Sequence, residues 1–236
     1  MKISELKVPE HIKLCAFESR TALTNSLSDL IQMRLKNAIR QSGSASLAVS
    51  GGSTPIPLFD QLSSTPLDWS KVTTTLVDDR WVNPEHPDSN EQLVKKHLLH
   101  NAAANARFIG LWQPDTSAEA AVDDCHQRLA TLNGRLNTVI LGMGNDGHTA
   151  SLFPGSKELQ AALTSELDCA AVNPGTAPHA RMTLTPKRLL NSELRILHLC
   201  GQDKLETLAK ALKDNDPQTM PISLFLQHPL TIYWAP

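Results

Sequence analysis

Residues 136–154 read Leu-Asn-Thr-Val-Ile-Leu-Gly-Met-Gly-Asn-Asp-Gly-His-Thr-Ala-Ser-Leu-Phe-Pro. The apolar run at the start has the length and content of a buried strand, and the glycines behind it stop that strand at an exposed loop. Asp146 and His148 stand two apart inside the loop. A histidine beside an acid, on a glycine-rich loop at a strand end, is what a general base needs. The carboxylate fixes the imidazole tautomer and favours the imidazolium formed when a proton is taken.

Outward from this strand, strands and helices alternate in both directions. Ile12–Phe17 and Ser46–Ser50 read as strands, with a helix between them whose Leu23, Leu27, Leu30, Ile31 and Leu35 recur at spacings of three and four. Gly43 ends that helix. Pro55 suits the first turn of another, running to about Leu62. Val72–Val77 is a strand ending at Asp78-Asp79-Arg80. After a Pro-rich loop, Asp88 or Ser89 can cap a helix through Leu99. Arg107–Trp112 reads as a strand and Ser117–Leu132 as a helix. Short strand candidates follow at Cys169–Val172 and Arg181–Thr185, then a strand at Leu194–Cys200, a helix at Lys204–Leu212 and a last strand at Leu230–Trp234. Strands alternating with helices predict a three-layer, Rossmann-like α/β fold, an open and mostly parallel sheet with helices on both faces. No repeat or long linker divides the chain, so residues 1–236 are expected to form a single domain.

Composition narrows the function classes. The chain has 236 residues, 41% hydrophobic and 19% charged, which is ordinary for a globular protein. A net charge of −2 gives no basic field for nucleic acid. No run approaches a membrane span, and Lys2, Glu5, Lys7, Glu10 and Lys13 interrupt the first twenty residues where a signal peptide would be apolar. Cys15, Cys125, Cys169 and Cys200 are scattered, which reads as reduced thiols in a cytoplasmic protein. No metal-ligand spacing is legible: His97 and His100 lack a third ligand, and Glu85-His86-Pro87-Asp88 falls in a loop. The sequence does not set an oligomeric state.

In a parallel sheet, ligands sit beyond the carboxyl ends of the strands. Four such ends carry unusual residues: Ser50-Gly51-Gly52-Ser53-Thr54-Pro55, Asp78-Asp79-Arg80, Gly144-Asn145-Asp146-Gly147-His148 and Gly201-Gln202-Asp203-Lys204. The first can bring backbone N–H groups, a helix N-terminus and the Ser53 and Thr54 hydroxyls to an anion. Its plainer reading is a tight turn with a Ser/Thr helix cap. Asp78 and Asp79 point to opposite faces of a strand, so one can face a site while the other holds a loop. Arg80 can clamp a phosphate, or join a surface ion-pair cluster. Lys204 opens a helix, where a cation is unfavourable without an anion nearby, unless it only pairs with Asp203. Arg181 is a second candidate anion ligand or an edge-strand charge. Gly142, Gly144 and Gly147 match a dinucleotide fingerprint in letter only. Several strand–helix units precede them, and Asp146 would put a carboxylate where a pyrophosphate should lie. For His148 the plain alternative is a helix-start histidine bonded to backbone.

Together these loops resemble the 6-phosphogluconolactonase family, the hydrolase branch of a superfamily shared with glucosamine-6-phosphate deaminases. The resemblance runs from about Ser46 to the C-terminus, through Ser50–Pro55, Asp78–Val82 with Ser89-Asn90, Gly142–Pro154, Met182–Pro186 and Gly201–Lys204. Asp79 stands where the family commonly has Glu. The resemblance implies a single α/β domain that opens a six-membered phosphosugar lactone without a cofactor. It also implies His148 as the base that activates water, Asp146 as its orienting acid, and Ser53, Thr54, Arg80 and Lys204 as phosphate ligands assisted by Arg181. Gly51, Gly52 and Asp78 complete the expected substrate-binding set.

Two rivals are defined by single features. The deaminase branch carries a Glu five residues after the His and uses it in ring opening; here that position is Phe153, which cannot move protons. A non-catalytic sugar-phosphate sensor would keep the cations but would not need a polarised Asp-His pair.

Overall fold

The computed structural model describes residues 3–132, 134–175 and 177–236; Met1 and Lys2 of the first twenty residues fall outside them. In chain order the elements are β1 (Ile12–Ala16), α1 (Arg20–Ser42), β2 (Ala45–Val49), α2 (Ile56–Ser63), β3 (Val72–Leu76), β4 (Asp78–Arg80), α3 (Asn90–His97), β5 (Arg107–Ile109), α4 (Val122–Ala130), β6 (Leu136–Leu141), α5 (Leu159–Leu163), β7 (Cys169–Val172), β8 (Arg181–Leu184), α6 (Pro186–Leu190), β9 (Ser192–Cys200), α7 (Gln202–Asp214), α8 (Ile222–Leu226) and β10 (Leu230–Ala235). Seven strands form a wholly parallel sheet in the order β1-β10-β9-β6-β2-β3-β5. The expected α/β architecture is therefore present, with β6 at its centre.

Both faces of the sheet are covered. In β2 the consecutive residues Leu47, Ala48 and Val49 are all fully buried, and in β6 so are Val139, Ile140 and Leu141. Successive side chains point to opposite faces, so such a run requires packing on both. The stripe Leu23, Leu27, Ile31 and Leu35 of α1 is sealed into this core. Ser19 caps its start by accepting the Ala22 N–H, and Gly43 ends it at φ 79°, in the left-handed conformation that glycine adopts without penalty.

Three departures from the expected elements have local causes. Asp78-Asp79-Arg80 is not a loop but a strand of a second, antiparallel sheet in the order β4-β8-β7. Val77 passes the chain between the sheets: its N–H donates to Val49 O, and its carbonyl accepts the Leu184 N–H. Arg107–Trp112 pairs only to Ile109, because the guanidinium of Arg128 takes the carbonyls of Gly110 and Leu111. The helix expected from Ser117 begins at Val122, since the Ser117 hydroxyl first accepts the Ala120 N–H in a local turn. The short helices α5, α6 and α8 have only five residues each, too few for a periodic signal.

Candidate active site

Strands β2 and β6 lie side by side, but the chain leaves them in opposite directions, toward β3 on one side and toward β9 on the other. That reversal opens a crevice between their exit loops. A cleft of about 500 Å³ occupies it, lined by the loop 50–55, by Gly142, Gly144, His148 and Phe153, and by Asp78, Arg80, Arg181 and Lys204. Ser50 pins the two loops together: its hydroxyl donates to Ile140 O and accepts the Gly142 N–H. Of the predicted site residues, only Asp146 is not part of the cleft wall; it stands behind His148.

The turn after β6 is built around the imidazole. Asp146 Oδ1 lies 2.6 Å from His148 Nδ1 and also accepts the His148 backbone N–H at 3.1 Å. A carboxylate at Nδ1 makes that nitrogen the donor and leaves the Nε2 lone pair as the basic position. The bond to His148 holds the Asp146 carboxyl below the usual carboxylate range. The imidazole lies directly on Gly144, where a Cβ would sit 2.2 Å from Cε1 and Nδ1. No helix starts at His148, so the helix-start reading of this residue fails. The dinucleotide reading fails for the same reason. Instead, Gly144 N–H closes onto His148 O, Gly147 N–H onto Gly144 O, and Gly142 N–H onto Ser50. These three N–H groups are therefore committed within the turn.

Across the cleft, the loop after β2 has the opposite character. The backbone N–H groups of Gly51, Gly52, Ser53 and Thr54 have no partner among the described residues, nor do the Ser53 and Thr54 hydroxyls. The plain capping role is not taken: α2 is capped at Pro55 without a side-chain bond. Gly51 is required here, because a Cβ would fall 1.9 Å from Asn90 Oδ1. A row of free N–H groups ahead of a helix N-terminus is a site for an anion.

Two arginines face that row. Arg80 of β4 and Arg181 of β8 are directly paired in register. Like charges opposite one another on adjacent strands are destabilising. Arg181 is only 6% exposed, its Nε has no partner, and burial followed by the nearby Arg80 lowers its pKa. Main-chain carbonyls hold both side chains: Arg80 donates to Asp88 O and Arg181 to Pro178 O. Neither is neutralised by a carboxylate ion pair among the described residues. Two uncompensated guanidinium groups beside free N–H donors fit an anion with several oxygens, such as a phosphate.

The remaining predicted residues divide by role. Asp78 and Asp79 do point to opposite faces. Asp78 faces the cleft, where its carboxylate accepts the Ser151 hydroxyl. Asp79 is buried and accepts the N–H groups of Arg80, Asn90 and Glu91 and the Ser89 hydroxyl, which ties β4 to the start of α3. Burial pushes its carboxyl up to about 6 against those donors. Lys204 lines the same cleft as the arginines. Its ammonium is bound by Asn145 Oδ1, next to Asp146, rather than by Asp203.

Sequence reasoning read Phe153 only as a missing acid. In the fold its ring packs against His148 in a tilted arrangement, 4.5 Å between centroids, and the Arg181 guanidinium sits 5.9 Å from the same centroid. One phenyl ring thus sets the spacing between base and anion site. An extended six-carbon chain spans on the order of 6 Å with C–C bonds near 1.5 Å, so one phosphosugar can reach both. Folding also gathers His86, Asp88 and His179, although no metal-ligand spacing was legible in the sequence.

The family model for glucosamine-6-phosphate isomerases/6-phosphogluconolactonase matches residues 18–234. The chain is 42% identical over 238 aligned residues to a 6-phosphogluconolactonase of Pseudomonas aeruginosa, covering 100% of both chains. It is 46% identical over 225 residues to one of Rhizobium meliloti, covering 93% of this chain and 97% of the relative. The crystal structure of a 6-phosphogluconolactonase from Shewanella baltica superposes with a TM-score of 0.94 at 43% identity, over 98% of this chain and 100% of that one. With sequence, fold and full-length coverage in agreement, the chain belongs to the glucosamine-6-phosphate isomerase/6-phosphogluconolactonase family.

Proposed function

We propose that the protein hydrolyses 6-phospho-D-glucono-1,5-lactone to 6-phospho-D-gluconate, the lactone-opening step of the oxidative pentose phosphate pathway. The kinship with full-length 6-phosphogluconolactonases supports this reading. The observation that carries it in the site is the pairing of Arg80 with Arg181 one phenyl ring away from an Asp-oriented histidine.

In this mechanism the phosphate sits against the N–H row of Gly51, Gly52, Ser53 and Thr54, with Arg80 and Arg181 on its other side. That placement fixes C1 of the lactone beside His148. Nε2 takes a proton from water as the water oxygen bonds to C1, and Asp146 stabilises the imidazolium. The tetrahedral intermediate collapses by breaking the bond from C1 to the ring oxygen, which leaves with the proton from the imidazolium. The N–H groups of Gly142, Gly144 and Gly147 are already used within the turn and do not serve the C1 oxyanion. Lys204, held at the turn by Asn145, supplies positive charge there. A lactone is an activated ester, so no covalent nucleophile is needed; positioning and proton transfer carry the rate.

The whole chain works as a single domain in this reading, in the cytoplasm, with a small phosphosugar lactone as its partner. No helix among the described residues is long and apolar enough to cross a membrane. Phe153 on the face of His148 argues against the deaminase reaction, which needs a proton-carrying acid at that place. The test is hydrolysis of freshly made 6-phosphogluconolactone beside the unphosphorylated lactone, with glucosamine 6-phosphate as a third substrate. A strong preference for the first is expected. Equal rates on both lactones, or ammonia release from the third, would overturn the reading.

A further inference from the structure

We propose that His86, Asp88 and His179 form a binding site for a divalent first-row transition metal, best suited to zinc, that ties the loop after β4 to the loop before β8. One ring nitrogen from each histidine and one Asp88 carboxylate oxygen all lie within 4.8 Å of one another. Asp88 Oδ2 is 3.0 Å from His179 Nε2 and 3.9 Å from His86 Nδ1. Tetrahedral zinc with ligands at about 2.0–2.1 Å holds its donor atoms roughly 3.3 Å apart. Closing the present triangle around an ion therefore needs only small side-chain rotations. Two imidazoles and one carboxylate, with the fourth position left to water, is a zinc-type donor set. Calcium or magnesium would require more oxygen ligands.

The donors are held in place independently of an ion. His86 sits in a tight turn, its N–H bonded to Asn83 O and its carbonyl accepting the Ser89 N–H. The Asp88 N–H donates to His86 Nδ1 at 3.1 Å. That nitrogen accepts and is therefore unprotonated, and an ion bound to it replaces the Asp88 N–H on the same lone pair. His179 adopts φ 68°, the left-handed region that a non-glycine residue enters only when its surroundings over-determine it. This conformation brings its imidazole onto Asp88. A plain His–Asp hydrogen bond would need one histidine; here a second ring packs edge-on at 5.5 Å, with its Nδ1 3.9 Å from the same carboxylate oxygen. All three side chains keep solvent access, at 42%, 51% and 29% exposure for His86, Asp88 and His179, so an ion can enter.

The site has a place in the architecture. The Asp88 carbonyl holds Arg80, and the Pro178 carbonyl, one residue before His179, holds Arg181. An ion here braces the two loops that support the paired arginines. The inference rests on the geometry of the cluster and not on the lactonase reading, so each can fail alone.

The test is titration of the chelator-treated, untagged chain with Zn2+ by calorimetry, and with Co2+ by visible absorption. The wild type should take up one ion per chain, show ligand-field absorption with Co2+, and melt at a higher temperature with Zn2+. His86→Ala and His179→Ala should each weaken binding by at least about tenfold and lose the Co2+ absorption, since even losing an outer-shell partner of a ligand costs 10–100-fold. Asp88→Asn keeps the size of the side chain and a hydrogen-bonding partner for His179, and it should weaken binding in the same way. No uptake near one equivalent by the wild type would overturn the proposal, as would variants that bind as the wild type does.

Discussion

Replacing Arg181 by Met separates the anion site from the reacting centre. Methionine matches the arginine stem out to about Nε, so the stem's packing is kept while the charged end is removed. A hydrogen bond to a charged group contributes about 1.5–3 kcal/mol. Losing one such contact to a phosphate lowers kcat/KM by about 10- to 150-fold, at tenfold per 1.4 kcal/mol. The unphosphorylated lactone never makes the contact, so its rate should change less than about threefold. Folding stability should move little, because two effects oppose. The variant loses the bond to Pro178 O and the cation–π contact with Phe153, worth about 0.5–2 kcal/mol. It also relieves a buried, unpartnered Nε and the charge facing Arg80, a relief of about 1–3 kcal/mol. The assay is kcat/KM on both lactones, with a melting curve for each protein. An equal loss on both substrates would show that Arg181 serves the chemistry or the fold rather than the phosphate. No loss on either would remove it from the site.

Gly144→Ala should leave the fold intact and lower kcat strongly, since the new methyl overlaps the His148 ring at 2.2 Å and must turn it off the Asp146 axis; kinetics beside a circular dichroism spectrum check this. His198 tests linkage in the core: burial lowers its pKa from 6.5 to about 4. Below pH 6.5 the unfolded chain takes up a proton that the folded chain refuses. Stability from this group is therefore complete above pH 6.5 and is lost as pH falls toward 4, by about 3 kcal/mol at 1.36 kcal/mol per unit. Denaturant melts across that range should show the loss in the wild type and a shallower slope in His198→Leu.

The parts of this molecule that are local in sequence were the parts legible in it. The strand Leu136–Leu141, the stripe of α1 and its Gly43 stop are written in short-range periodicity and turn chemistry. The Asp146–His148 pair is two residues apart, and its hydrogen bond follows from the turn alone. What depended on register was hidden. Arg80 and Arg181 each read as an anion ligand or as a surface or edge-strand charge, and only the antiparallel pairing of β4 with β8 sets them opposite one another. That pairing turns Asp78–Arg80 from a loop into a strand. Phe153 carried a signal by what it was not; its contact with both His148 and Arg181 needed the fold. His86, Asp88 and His179 are likewise brought together only by the meeting of two distant loops.

The central claim is that His148 activates water for a lactone whose phosphate is held elsewhere. The most direct measurement is steady-state hydrolysis of 6-phosphogluconolactone by His148→Ala, corrected for spontaneous opening. Loss of a general base predicts a fall in kcat of roughly 10² or more, with KM little changed because Arg80, Arg181 and the Gly51–Thr54 loop are intact. A variant that keeps the wild-type kcat would contradict the account.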